Sequence, residues 1–296
     1  MEQADLYFRP PSEAESFIIR VMQGCSHNKC TFCNMYKGIP LTVLSLEEVL
    51  SGIERDAREL GSRFLHRVTS LYLDGGDPLV LSTDMLLRIL EHARAQFPAL
   101  ERVACYATAR SIIRKTPEAL KALSTAGLRR VYVGLESGLD AILSTTCKGC
   151  TRADLVRAGQ ALAKAGIEND VSIMLGIGGP ELSELHAVST ASLLNAISPV
   201  CVRIRTFIPN TDTPMGNEYL QGRFILMDPF EILRELRLLA EHITTPMRLL
   251  SEHWSDFIRF DACLPEDRDG LFAAIDGALQ WPRSAFRETG ICGERH

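Results

Sequence analysis

Short apolar runs rich in β-branched residues alternate along this chain with longer stretches whose apolar positions recur every three to four residues. The runs are Phe17–Met22, Ser70–Asp74, Arg102–Tyr106, Arg130–Gly134, Val171–Leu175 and Val200–Arg205. Near-continuous apolarity marks a strand covered on both faces, as in a parallel sheet. The stretches between them carry helix-end signals. Ser45 with Glu48 makes a capping box before Leu46, Val49, Leu50, Ile53, Ala57 and Leu60, and Gly61 can stop that helix. Thr116-Pro117 opens a helix that Gly127 ends, Thr151 with Asp154 opens one that Gly166 ends, and Asp228-Pro229 opens a later one.

Six such strand–helix units with right-handed crossovers predict an α/β fold, a partial TIM-like (βα)6 barrel on a parallel sheet. Its functional loops would lie at the C-terminal ends of the strands. A doubly wound open sheet shares this spacing, and periodicity alone does not choose between them. Beyond Met247 the rhythm breaks into an apolar segment through Trp254, Phe257, Ile258, Phe260 and Leu264, then a helix around Asp267–Leu279. The expected organisation is a barrel over residues 1–246 and a C-terminal extension over 247–296 packed on it.

Composition narrows the class. The 296 residues are 46% hydrophobic and 23% charged, which excludes disorder and coiled coil. With 32 basic against 37 acidic residues the net charge is −5, which speaks against nucleic acid as a partner and against an anionic membrane surface. The start, Met1-Glu2-Gln3-Ala4-Asp5, lacks the basic and apolar regions of a signal peptide, and no apolar run approaches the ~18 residues of a membrane span. A cytoplasmic protein is expected. Nine cysteines, an odd number without an export signal, argue for metal or redox chemistry over a disulfide framework.

Three of them, Cys25, Cys30 and Cys33, fall within nine residues just past the first strand. Thiolates this close on a loop suit a soft metal centre. Three readings stand at this point. A [4Fe–4S] cluster on three thiolates would keep one iron open, a zinc site would want a fourth ligand such as His27, and inert buried cysteines would bind nothing. A second pair, Cys147 and Cys150, precedes a helix. It suits an auxiliary cluster (with Cys263 or Cys292), a thiol that donates hydrogen, or two unpaired loop thiols.

The loop resembles the radical S-adenosylmethionine (radical SAM) superfamily, whose signature is three cysteines after the first barrel strand with an apolar or aromatic residue before the third. Phe32 holds that place here. The first spacing has four intervening residues where the superfamily usually has three. Three further stretches carry the resemblance in order. Asp74-Gly75-Gly76-Asp77-Pro78 is similar to the "GGE" motif, with Asp77 for the usual glutamate, Gly134-Leu135-Glu136-Ser137-Gly138 to a "GLESG" stretch, and Leu175-Gly176-Ile177-Gly178-Gly179-Pro180 to a glycine-containing adenine-side stretch. Together they cover roughly residues 17–210.

The resemblance implies a [4Fe–4S] cluster on Cys25, Cys30 and Cys33. It implies S-adenosyl-L-methionine contacts from Phe32, Gly75, Gly76, Asp77, Glu136, Ser137, Ser172, Gly176 and Arg205. Lys148, taken as solvated, and Arg157 are further candidates for the SAM carboxylate, and Tyr36, Tyr106, Thr108 and Arg110 for the rim of the site. It implies reductive cleavage of SAM to a 5′-deoxyadenosyl radical that takes hydrogen from a small-molecule or peptide substrate. The electron would come from a donor such as flavodoxin or ferredoxin. No cobalamin-binding domain is expected before the barrel, which speaks against methylcobalamin-dependent methylation. Two other outcomes stay open: a zinc- or iron–sulfur-binding protein without radical chemistry, and transfer of an aminocarboxypropyl group from SAM on the same cluster.

Overall fold

A computed structural model describes residues 7–290. In chain order, β1 (Phe17–Arg20), β2 (Met22–Gln23) and β3 (Thr42–Val43) are followed by α1 (Leu46–Leu60) and the single turn α2 (Ser62–Leu65). Then come β4 (Ser70–Asp74), α3 (Thr83–Gln96), β5 (Arg102–Tyr106), α4 (Ala109–Ile113), α5 (Pro117–Ala126) and β6 (Leu128–Glu136). Next are α6 (Asp140–Thr145), α7 (Arg152–Ala165), β7 (Glu168–Leu175), α8 (Gly179–Ile197) and β8 (Cys201–Thr206). The chain continues with α9 (Pro214–Leu220), α10 (Pro229–Glu241), β9 (Met247–Ser251), β10 (Phe260–Leu264) and α11 (Arg268–Ala278).

The main sheet has the hydrogen-bonded order β1-β4-β5-β6-β7-β8-β9-β10. The pairs β1–β4, β4–β5, β5–β6, β7–β8 and β8–β9 are parallel, and β10 runs antiparallel to β9. This is an α/β fold on a mostly parallel sheet, as the alternation of runs predicts. Strand centres such as Leu71, Val103, Val131, Ile173 and Val202 are fully buried, which explains why the runs are continuous rather than alternating. Segment 247–264 adds β9 and β10 to this sheet.

Local signals act where they were read. Ser45 and Glu48 form the reciprocal capping box of α1, whose Val49, Ile53 and Ala57 face the core. Thr116 and Gly127 bound α5, with Gly127 left-handed, and Asp228 with Glu231 caps α10 by a second box. One strand differs. The run Phe17–Met22 is divided: Phe17–Arg20 pairs with β4, and Met22–Gln23 pairs with Thr42–Val43 in a separate ribbon. A period-2 pattern sets which way side chains point and leaves the partner strand open.

The chain divides into two compact units. One comprises the residues up to Asn28, Gly38–Val133 and Gln160–Asn169; the other comprises Lys29–Lys37, Gly134–Gly159 and the residues from Asp170 onward. The division falls inside the cysteine loop, so each unit carries part of the predicted site. Among the described residues, no helix is long and apolar enough to cross a membrane.

Candidate functional site

In the first unit the site begins where the chain leaves β2. Gly24 is left-handed, at φ +85°, and the following Cys25 is half-buried. The turn after β4 is pressed against this point. The Gly76 amide donates to the Gly24 carbonyl at 3.0 Å, and a Cβ on Gly76 would lie 2.7 Å from Cys25 Cα. Gly75, at φ +145°, has its missing Cβ 2.1 Å from Met22 Cγ. Only glycines let two backbones approach this closely.

Asp77 follows them and is 1% exposed. Its carboxylate accepts from Ser26 Oγ at 2.5 Å, Ser111 Oγ at 2.5 Å, Thr108 Oγ1 at 3.0 Å and the Thr108 amide at 3.1 Å. A carboxylate has about four acceptor positions, and protein donors take that many here. The resemblance implies that Asp77 touches SAM; in this structure the carboxylate ties the residue after Cys25 to the start of α4. Thr108, a predicted rim residue, caps α4 in the same cluster. Arg110 is exposed, Tyr106 packs edge-on against Tyr72 at 6.0 Å, and Tyr36, in the second unit, is buried.

In the second unit lie Cys30 and Cys33, both half-buried. Between them the Thr31 amide donates to the Thr146 carbonyl, and the Thr31 carbonyl accepts from the Met215 amide. Phe32 packs against the apolar group of Ile142, Ile177, Phe207 and Met215. Gly176 and Gly178 skirt this region: a Cβ on Gly178 would lie 2.6 Å from Ile142 Cδ1, and one on Gly176 would lie 2.5 Å from Ile232 Cδ1.

Glu136 ends β6 with a left-handed backbone, φ +62°, uncommon for a residue with a side chain. Its Oε1 is 2.9 Å from Lys148 Nζ. The expectation of a solvated Lys148 is therefore corrected: its side chain is 16% exposed and its charge is spoken for by Glu136. Burial works against that charge, but the Glu136 carboxylate and then the Cys30 sulfur outweigh it and raise the lysine pKa. Gly134 makes room for the pair, since a Cβ there would lie 2.3 Å from Glu136 Oε1. Lys148 Nζ also lies 5.8 Å from the Phe32 ring centre.

Ser137 is fully buried and its hydroxyl is engaged, accepting from the Leu139 amide at 3.0 Å and bonding His186 Nδ1 at 2.9 Å. The Gly176 amide donates to Glu235 Oε1 at 2.8 Å. Ser172 is half-buried on β7 in register with Arg203. Arg205 is half-buried on β8, and its charge acts on Asp256, whose pKa is pushed up to about 6 by burial against the opposing pull of Ser251, His253, Ser255 and Arg205. Arg157 is a surface residue paired with Asp154. Of the second pair of thiols, Cys147 is exposed and Cys150 half-buried; burial raises the Cys150 pKa and the Lys148 charge opposes this. Cys263 is exposed on β10, and Cys292 lies outside the described residues.

Sequence reasoning missed His186, Glu235 and the Lys148 pairing. A signal for the first was present: Ser183, His186 and Thr190 recur at helical spacing along α8, beside the apolar Ala187, Ala191 and Leu194. Glu235 lies among Ile232, Leu233, Leu236 and Leu239 on the buried face of α10. A charged residue in such a row is rarely buried unless partnered.

Cys25, Cys30 and Cys33 are thiol donors of the kind an iron–sulfur cluster takes. Three thiols follow a strand end, and a side-chain-free turn lies against the first of them. Among the described residues no three His, Cys, Asp or Glu side chains gather closely enough for a single metal ion. A cubane does not require that, because each thiolate holds a different iron.

Comparison with known proteins agrees with this picture. A family model described as the radical SAM superfamily matches residues 19–194. The heme chaperone HemW of Lactococcus lactis is 26% identical over 147 residues, 49% of this chain and 37% of that protein. The chain spans less than half the length of the curated relatives it matches. Among solved structures, the radical SAM enzyme coproporphyrinogen III oxidase (HemN) of Escherichia coli has a TM-score of 0.56 at 14% identity, covering 77% of this chain and 52% of that one. The radical SAM methyltransferase TsrM of Kitasatospora setae, solved with cobalamin and a [4Fe–4S] cluster, has a TM-score of 0.55 at 21% identity, covering 70% and 39%.

Proposed function

Because this chain belongs to the radical SAM superfamily, we propose that it acts as an enzyme that cleaves S-adenosylmethionine reductively at a [4Fe–4S] cluster. The observation that carries this is the turn Gly75-Gly76 seated against Cys25, with Asp77 clasping Ser26. Cys25, Cys30 and Cys33 would hold the cluster. When bound, cluster and SAM supply a 5′-deoxyadenosyl radical able to take hydrogen from a substrate.

The chain's own part is to bind, orient and exclude water. Gly75 and Gly76 bring backbone rather than side chain to the Cys25 end of the loop, with Met22 and Cys25 packed where their Cβ atoms would be. Glu136 is held by Lys148 rather than by solvent, which presets its carboxylate, and Phe32 adds an apolar wall through its packing on Ile142 and Ile177. Arg205 offers a positive charge for a carboxylate at the end of β8. Ser137 and Asp77 are assigned to positioning, since protein partners occupy both. The substrate is proposed to be a small molecule or a peptide, and the electron donor a flavodoxin or ferredoxin, in the cytoplasm.

Anaerobic reconstitution tests this reading. The expected result is about four iron and four sulfide per chain, with 5′-deoxyadenosine released from SAM under strong reductant. Methylthioadenosine would indicate aminocarboxypropyl transfer, and bound zinc without either nucleoside would indicate a binding protein; each overturns the proposal. Cys30→Ala should abolish cluster and cleavage together, and cleavage at the full rate in that variant would refute the ligand assignment.

A further inference from the structure

Helix α8 presents three polar side chains to the interior: Ser183, His186 and Thr190, at intervals of three and four residues. Toward β6, His186 and Thr190 hold the turn that follows the strand. His186 Nδ1 bonds Ser137 Oγ at 2.9 Å, and Thr190 Oγ1 accepts from the Gly138 amide at 2.9 Å. A Cβ on Gly138 would lie 2.3 Å from the Ser189 carbonyl oxygen, so the turn rests directly on the helix backbone.

Glu235 of α10 holds the other turn. Its Oε1 accepts from the Gly176 amide at 2.8 Å and its Oε2 from Ser183 Oγ at 2.5 Å. Its Oε1 also lies 3.7 Å from His186 Nε2, and both side chains are wholly buried. Burial drives both toward their neutral forms, His186 down to about 4 and Glu235 up to about 7, so they pack together without a strong charge pair, and the hydrogen bond between α8 and Glu235 is the one from Ser183.

We infer that His186 and Glu235 are positioning residues that lock the turns after β6 and β7 into one preset cradle for SAM. This rests on SAM being the ligand of those turns. Glu235 accepts from the Gly176 amide of one turn, and His186 holds the Ser137 hydroxyl that accepts from the Leu139 amide of the other; a buried group left without its partner would cost enough to let the turn move. The couple touches none of the three cysteines, so it should govern SAM affinity and leave cluster loading alone.

The experiment uses the anaerobically reconstituted full chain as wild type, His186→Ala, Glu235→Ala and Glu235→Gln. Iron and sulfide are counted for each, and the affinity for SAM is measured by equilibrium dialysis without reductant. The expected result is unchanged iron and sulfide in all four, with SAM affinity weakened about ten-fold or more in both alanine variants. Glu235→Gln keeps an acceptor for the Gly176 amide and should return to within about two-fold of wild type. Wild-type affinity in the alanine variants would overturn the inference. So would a joint loss of iron, sulfide and SAM binding in all three variants, which would mark residues that only hold the fold. A cluster-replete wild-type chain that retains no SAM would instead overturn the proposed function.

Discussion

At the scale of single residues, Asp77 shows how one buried carboxylate gathers a turn around it. The shorter acid keeps its carboxylate within the turn, where Ser26, Thr108 and Ser111 saturate it. Asp77→Ala would leave several buried donors without an acceptor. The expected cost is about 3 kcal/mol in urea unfolding, together with reduced cluster loading because Ser26 adjoins Cys25. Unchanged stability and iron content would show that the clasp has no hold on the loop. The clustering of the three cysteines pointed to a soft metal centre from spacing, because ligand chemistry leaves a local signature, while Phe32 stood out only through the family resemblance. The role of Asp77 was not, because its partners lie 51 residues earlier and 31 to 34 residues later in the chain.

At the scale of elements, α8 and α10 meet through Glu235 and His186, and their protonation gives a test. Glu235 titrates near 7 in the fold against 4.5 for an ordinary glutamate. It therefore binds more protons folded than unfolded between those values, and its contribution to stability falls as pH rises through the window. His186 titrates near 4 against 6.5. It binds fewer protons folded than unfolded across its window, and its contribution rises with pH. The groups facing this couple are the Ser137, Thr190 and Ser183 hydroxyls, the Gly176 amide and the Met174 backbone. The two slopes oppose each other where the windows overlap. His186→Gln should expose the falling limb up to pH 7, and Glu235→Gln the rising limb below 6.5, each by up to about 1.4 kcal/mol per pH unit. Urea unfolding at a series of pH values reads this directly; identical profiles in both variants and wild type would refute the coupling. Helix ends were legible at this scale, as Ser45, Thr116 and Asp228 show, because caps are satisfied within four residues.

At the scale of the whole molecule, the segment from Met247 forms sheet structure: β9 pairs in parallel with β8, and β10 covers the outer edge of β9. Leu249 and Leu264 are fully buried there. Removing residues 247–296 would open the edge of β8 and expose apolar surface on Ile232 and Leu236, which line a cavity together with Phe257 and Ile258. The truncated chain is expected to aggregate or unfold at lower urea than the full chain. A truncated chain of equal stability and solubility would show the segment to be dispensable.

The sequence by itself determined the alternation of strands and helices, the caps, and the thiols with their glycine turns. Each of these depends on neighbours a few residues away, whose chemistry can be read in order along the chain. Only the tertiary structure decided that Met22 leaves the main sheet, that Lys148 is bound to Glu136, and that His186 and Glu235 hold two turns at once. Hydrogen bonds in the interior are made between groups distant in sequence, and the pairing follows from which buried donors and acceptors packing leaves within reach.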